Sequence, residues 1–109
     1  MHHWTPILES ADLPEGKAMR ALLDEAELLL YRRGDRLFAV SNRCTHQRAL
    51  LHKGIVKATG SLPTVTCPVH GSMFQLTDGR VIRGPAMSPI QAYDVRMQDE
   101  MIEVRPRPS

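Results

Sequence analysis

The apolar and polar positions of this chain alternate over short distances and are interrupted often. Turn signals fall at Pro14-Glu15-Gly16, Asp24-Glu25, Arg33-Gly34-Asp35, Thr59-Gly60-Ser61, Thr77-Asp78-Gly79, Gly84-Pro85 and Gln98-Asp99-Glu100. Between them lie brief runs of apolar and β-branched residues, the pattern of an all-β protein built as a small antiparallel sandwich or barrel. The pattern predicts strands over residues 17–23, 27–32, 36–41, 64–66, 72–76, 80–83, 91–97 and 101–105. One segment is ambiguous. R-A-L-L-D-E-A-E-L-L-L, residues 20–30, is made of helix formers. A hairpin turning at Asp24-Glu25 is the preferred reading, because the next run stops at Arg33-Gly34-Asp35 and leads directly into R-L-F-A-V-S. Whether residues 1–13 add an edge strand, and whether residues 57–63 form a docking element or only a longer turn, the pattern leaves open.

Composition narrows the functional classes. A chain of 109 residues has room for one domain, taken here as residues 1–109. Its 42% hydrophobic and 24% charged residues are ordinary for a globular protein. The net charge of +2 is too small to argue for nucleic acid or an anionic membrane. The aromatic residues Trp4, Tyr31, Phe38, Phe74 and Tyr93 offer no stacking platform for bases. No apolar run approaches the ~18 residues of a bilayer span, and no charged-then-apolar leader opens the chain. The expected compartment is the cytoplasm, where two cysteines stay reduced. A disulfide between them is the alternative; reduced thiols with histidines close by point to a metal instead.

Those cysteines carry the candidate chemistry. One stretch reads Cys44-Thr45-His46 and the other Cys67-Pro68-Val69-His70. The first follows the strand expected at 36–41, and the second joins the strands expected at 64–66 and 72–76, so two loops can meet at one end of the β-structure. Two thiolates and two imidazoles suit a tetrahedral zinc or an iron–sulfur centre. Structural zinc sites usually pair like ligands as C-x2-4-C and H-x3-5-H. Here each loop supplies one of each kind, and Cys44 and His46 share a face if the chain is extended. That suits a binuclear centre in which one metal takes both thiolates and the other both imidazoles, as in a Rieske centre. A structural zinc module mediating protein contacts is the rival from another class.

The motif pair, C-x-H and C-x-x-H with 20 residues between them, resembles the signature of Rieske-type [2Fe-2S] ferredoxins and Rieske domains. The resemblance extends to Gly71, Phe74, T-D-G-R-V, the proline loop Gly84-Pro85-Ala86 and the upstream Y-R-R-G-D-R-L-F-A-V-S-N-R-C. It implies one cluster per chain within residues 42–87, with Cys44 and Cys67 on one iron and His46 and His70 on the iron that accepts the electron. Ala49 and Val69 stand where disulfide-linked relatives have cysteines, which is similar to the soluble, low-potential branch. Ser72 matches a serine that hydrogen-bonds the cluster, whereas Phe74 stands where high-potential relatives have tyrosine. Fewer donors imply a potential in the lower part of a range of roughly −150 to +300 mV. Pro85 is expected in a loop closing over the site. Residues 47–51 read Q-R-A-L-L in place of a glycine-rich turn, and Arg48 does not adopt a left-handed conformation as cheaply as glycine.

Arg48, Leu50, Leu51 and Met87 are candidate docking residues, the three apolar ones being either core or a collar around exposed imidazoles. Arg43, Arg48 and Lys53 flank the first loop and would steer an acidic partner. His52 is expected at the surface. The resemblance implies a one-electron carrier, monomeric when free, passing electrons from a flavin-containing ferredoxin reductase to a terminal ring-hydroxylating oxygenase. Substrate chemistry would then lie in the partner. The second implied role is a small subunit of a larger oxidoreductase, such as a nitrite-reductase-like complex.

Overall fold

The computed structural model describes residues 3–58 and 60–107. They form β1 (Thr5–Glu9), β2 (Met19–Leu23), β3 (Ala26–Arg33), β4 (Arg36–Ser41), β5 (Ile55–Lys57), β6 (Thr64–Thr66), β7 (Met73–Gln75), β8 (Val81–Arg83), β9 (Tyr93–Gln98) and β10 (Met101–Pro106). Short 3-10 turns occupy Ser10–Asp12 and Leu51–Lys53. Three antiparallel sheets result, with orders β1-β10-β9, β2-β3-β4 and β5-β6-β7-β8. All eight expected strands are present, and the all-β expectation holds. The ambiguous segment is a hairpin: Leu23 pairs with Ala26, and Asp24 takes the turn at φ 53°.

The helix-like appearance of that segment has a physical cause. β3 and β4 are buried on both faces. Leu28, Leu30 and Ala39 pack with Leu13, Ile102 and Val104 in one core. Leu29, Tyr31, Phe38 and Val40 face the opposite way, onto Val65, Phe74, Leu76, Ala86 and both cysteines. A strand covered twice shows a continuous apolar run and loses the alternation that marks a half-exposed one. The sheets β2-β3-β4 and β1-β10-β9 are joined where Val40 pairs with Ala92 and Ser41 N–H donates to Gln91 O at 2.8 Å.

Two strands go beyond the expected set. β1 is an edge strand on β10 with an irregularity between Pro6 and Leu8, which is where a sheet tolerates proline. The Trp4 ring, just before β1, lies under the guanidiniums of Arg96 (4.2 Å) and Arg105 (4.5 Å). β5 is only three residues long, too short to stand out from its surroundings. Its last residue, Lys57, begins the region left open as 57–63, of which Ala58 and Pro63 are buried. Thr59, the first residue of one expected turn, lies outside the described residues, as do Met1 and His2.

The turn after β7 is held against the segment that follows the proline loop. Ile90 N–H donates to Gly79 O at 2.9 Å, and a Cβ on Gly79 (φ +82°) would lie 1.9 Å from Ile90 O. Gly34 is also left-handed, at φ +58°, but has nothing within 4 Å of its missing Cβ. Both Gly34→Ala and Gly79→Ala incur a backbone cost of about 1–2 kcal/mol, and only the second adds a collision. Urea denaturation is expected to show Gly79→Ala further destabilised by about 1–3 kcal/mol; equal losses would mean that the close approach to Ile90 contributes nothing.

Candidate metal centre

The first ligand loop leaves β4 at Ser41 and is closed by its own backbone. Arg43 pairs with Leu50, Cys44 N–H donates to Ala49 O at 2.9 Å, and Arg48 N–H donates to Cys44 O at 2.6 Å. This closure requires a left-handed residue, and Arg48 supplies it at φ 56° despite its side chain. The second loop is the tip of the β6–β7 hairpin. Cys67 N–H donates to Ser72 O at 2.7 Å, and His70 (φ 67°) and Gly71 (φ 74°) turn the chain through the left-handed region in succession. Val69 N–H points back at Cys67 Sγ, 3.4 Å away.

These two loops bring the four candidate donors to one tip. Cys44 and Cys67 are buried, at 1% and 3% exposure, and both are free thiols. Both belong to the same buried core cluster. Burial pushes the Cys67 thiol up, and the neighbouring Cys44 adds to that, against the Val69 N–H. His46 and His70 are exposed, with ring centroids 5.5 Å apart in an edge-to-face arrangement. The donors therefore sort into an inner pair of thiols and an outer pair of imidazoles. Among the described residues no three His, Cys, Asp or Glu side chains converge on a single ion position. An inner pair of thiols and an outer pair of imidazoles suits two metals that take two donors each.

A third loop, after β8, closes against both others. It contains a cis peptide at Gly84–Pro85. Ala86 N–H donates to Ser72 Oγ at 2.9 Å, and Thr45 Oγ1–H donates to Ser88 O at 2.6 Å. Ser72 is fully buried, and because its oxygen accepts from Ala86 its own proton is available to a further acceptor. Phe74 is fully buried in the core and has no polar atom to offer. Pro85 itself is exposed, and the loop is fastened by its neighbours.

The docking candidates separate. Met87 is 94% exposed, Arg48 is exposed and Leu50 is partly buried. Leu51 is a correction: it is fully buried in the core with Cys44, Val65 and Phe74, so it cannot touch a partner. His52 is a second correction. It is partly buried and belongs to a polar network that the sequence did not announce. Asn42, fully buried, accepts His52 N–H on Oδ1 (2.7 Å) and donates from Nδ2 to His52 Nδ1 (2.7 Å) and Glu27 Oε2 (3.3 Å). Its backbone N–H donates to Glu27 O and its carbonyl accepts Leu51 N–H. Glu27 also accepts from Arg20 and Arg43. The signal was an asparagine directly after a strand and shortly before a candidate ligand, a position that favours side-chain-to-backbone bonding.

The fold and donor set thus define a small antiparallel β-domain whose loops present paired thiols and paired imidazoles. A family model for the Rieske-like [2Fe-2S] domain matches residues 3–105, and the chain belongs to that family, which carries a Rieske [2Fe-2S] cluster. It is 31% identical over 93 residues to the 3-phenylpropionate/cinnamic acid dioxygenase ferredoxin subunit of Photorhabdus laumondii, covering 85% of each chain. Among solved structures it resembles the ferredoxin of carbazole 1,9a-dioxygenase from Nocardioides aromaticivorans (TM-score 0.86, 29% identity, 95% and 98% covered). It also resembles a putative NADH-dependent nitrite reductase small subunit from Mycobacterium tuberculosis (TM-score 0.85, 26% identity, 100% and 99% covered).

The Asn42 network predicts two pH windows. Burial, followed by Lys53, holds His52 below the ordinary histidine value, so its neutral form is favoured on folding and stability declines as pH falls below about 6.5. Glu27 is held below the ordinary carboxylate value, chiefly by Arg20 and then by Asn42 and Arg43, against burial. Its contribution is present at neutral pH and is lost as pH falls below about 4. His52→Gln keeps an acceptor for Asn42 and is expected to remove the upper window; Glu27→Gln is expected to flatten the lower. Thermal unfolding followed against pH checks both, and unaltered profiles in the variants would exclude the network as their source.

Proposed function

We propose that the chain is a one-electron carrier in which Cys44 and Cys67 hold one iron of the cluster and His46 and His70 hold the other. The observation carrying this assignment is the pairing: each loop contributes one thiol to a buried pair and one imidazole to an exposed pair 5.5 Å apart. When bound, the cluster takes up and gives back one electron. Burial keeps the thiol side away from water, and the proline loop, fastened through Ser72–Ala86 and Thr45–Ser88, covers that side. The exposed imidazoles put the outer edge of the site at the surface, where a partner can approach. Ser72 O–H supplies a hydrogen bond towards the cluster, and Phe74 supplies none, which supports a potential in the lower part of the Rieske range of roughly −150 to +300 mV.

The partners follow from the relatives. Dioxygenase ferredoxins support a flavin-containing ferredoxin reductase upstream and a terminal ring-hydroxylating oxygenase downstream, with substrate chemistry in that oxygenase. The likeness to a putative nitrite reductase small subunit supports a second reading, a small subunit bound to a large oxidoreductase chain. Residues 1–109 act as one domain, with residues 42–87 forming the cluster part, and the free protein is a monomer. A cytoplasmic location belongs to the same reading. Among the described residues no helix is long and apolar enough to cross a membrane.

Added in catalytic amounts to a flavin-containing reductase and a ring-hydroxylating oxygenase, the holoprotein is expected to sustain NADH-dependent hydroxylation. Co-purification at equal stoichiometry with one large chain, through a salt gradient, would favour the second reading instead. Ser72→Ala is expected to retain its iron and show a lower reduction potential by voltammetry. An unchanged potential would mean that the hydroxyl serves only Ala86.

A further inference from the structure

The modest net charge of the whole chain conceals a strong polarity. Residues 42–87 contain six cationic side chains (Arg43, Arg48, Lys53, Lys57, Arg80 and Arg83) and one carboxylate, Asp78, a balance of +5. The remaining residues contain eight Lys and Arg against eleven Asp and Glu, a balance of −3. Residues 42–87 form the β5–β8 sheet and the loops at its tip, so the positive excess is carried by one sheet and its loops.

Placement at the tip sharpens the asymmetry. Asp78 lies in the turn between β7 and β8, at the far end of a hairpin whose other end leads to His70 and Pro85, and Arg80 pairs with it. Arg83 ends β8 and donates from Nε and Nη2 to Gly71 O, beside His70 (3.3 and 3.2 Å). Arg48 is exposed two residues after His46, and Lys53 is exposed at the end of the first loop. Among the described residues none of Arg48, Lys53 and Arg83 pairs with a carboxylate. Glu27, the carboxylate under the first loop, is spanned by Arg20 and Arg43. Glu25 lines an open groove together with Arg43, His46 and Arg48. Two thiolates offset the positive core of an oxidised cluster, so loading the site does not cancel this excess.

We infer that the exposed imidazole edges lie in a cationic field set by Arg48, Lys53 and Arg83, and that the tip docks on an acidic protein face with Met87 as its apolar contact. The inference rests on the assignment of the tip as the cluster site, and adds the sign of the surface that meets it. Like-signed patches are rejected and opposite-signed ones are steered in at low salt. A protein face is favoured over nucleic acid because Met87 offers an exposed apolar contact, while Tyr31, Phe38, Phe74 and Tyr93 are buried and Trp4 is stacked against Arg96 and Arg105, which leaves none of these rings to stack on bases.

Stopped-flow oxidation of the dithionite-reduced holoprotein tests the field without a known partner. Tris(oxalato)cobaltate(III) and tris(phenanthroline)cobalt(III) each remove one electron and become cobalt(II), but carry opposite charges. The anionic oxidant is expected to slow roughly tenfold between 0.01 M and 1 M ionic strength, and the cationic one to accelerate. Arg48→Gln with Lys53→Gln is expected to reduce both slopes while leaving the potential and EPR spectrum in place, which separates a lost field from a disturbed site. Slopes of the opposite sign, or none in protein with full iron content, would overturn the inference. So would protection from the anionic oxidant at 0.15 M salt by a short single-stranded DNA or by phosphatidylserine vesicles. A colourless protein that reduces neither complex would overturn the cluster assignment, and this inference with it.

Discussion

The β3–β4 hairpin is buried on both faces, and the site depends on that constraint. One face closes a core with Leu13, Ile102 and Val104; the other receives Val65, Phe74 and Leu76 from the sheet that carries the second ligand loop. The first ligand loop leaves β4 directly. Both ligand loops therefore sit on the same rigid support, one by continuity of the chain and the other by packing. Their relative position is fixed by close-packed side chains, which resist displacement far better than a solvated loop would.

Within that frame the chemistry is divided by depth. The thiols lie inside, and the imidazoles lie outside with exposed rings. Polar groups at the boundary are satisfied. Asn42 bonds to Glu27, Leu51 and His52, and Ser72 accepts from Ala86, so burying them does not incur the penalty of an unpaired donor or acceptor. One local cost remains visible. Arg48 sits in the left-handed region, at about 1–2 kcal/mol for a residue with a Cβ, where glycine would sit freely. Its guanidinium, exposed beside His46, gives the position a property that glycine lacks.

The candidate donors and most strands were legible because each has a local signature. A cysteine and a histidine at short spacing stay recognisable whatever surrounds them, and short β-branched runs between turn signals read as strands. What was hidden depends on contacts distant in sequence. Leu51 reads as either core or collar until the packing places it in the buried core with Cys44. His52 looks like a surface histidine until Asn42, ten residues earlier, meets both its ring and its backbone. β1 contains a proline and is stable only as an edge on β10. β5 is three residues long and exists through its pairing with β6. In each case the deciding partner is supplied by the fold.

The central claim is that thiols and imidazoles serve different irons of one cluster. Low-temperature EPR of the dithionite-reduced, anaerobically reconstituted protein tests this most directly, because replacing two thiolates by imidazoles on one iron lowers the average g-value. The account predicts a brown protein with two irons and two sulfides per chain and that low average g. A spectrum typical of all-cysteine ferredoxins, or a colourless, EPR-silent protein holding a single zinc after reconstitution, would contradict it.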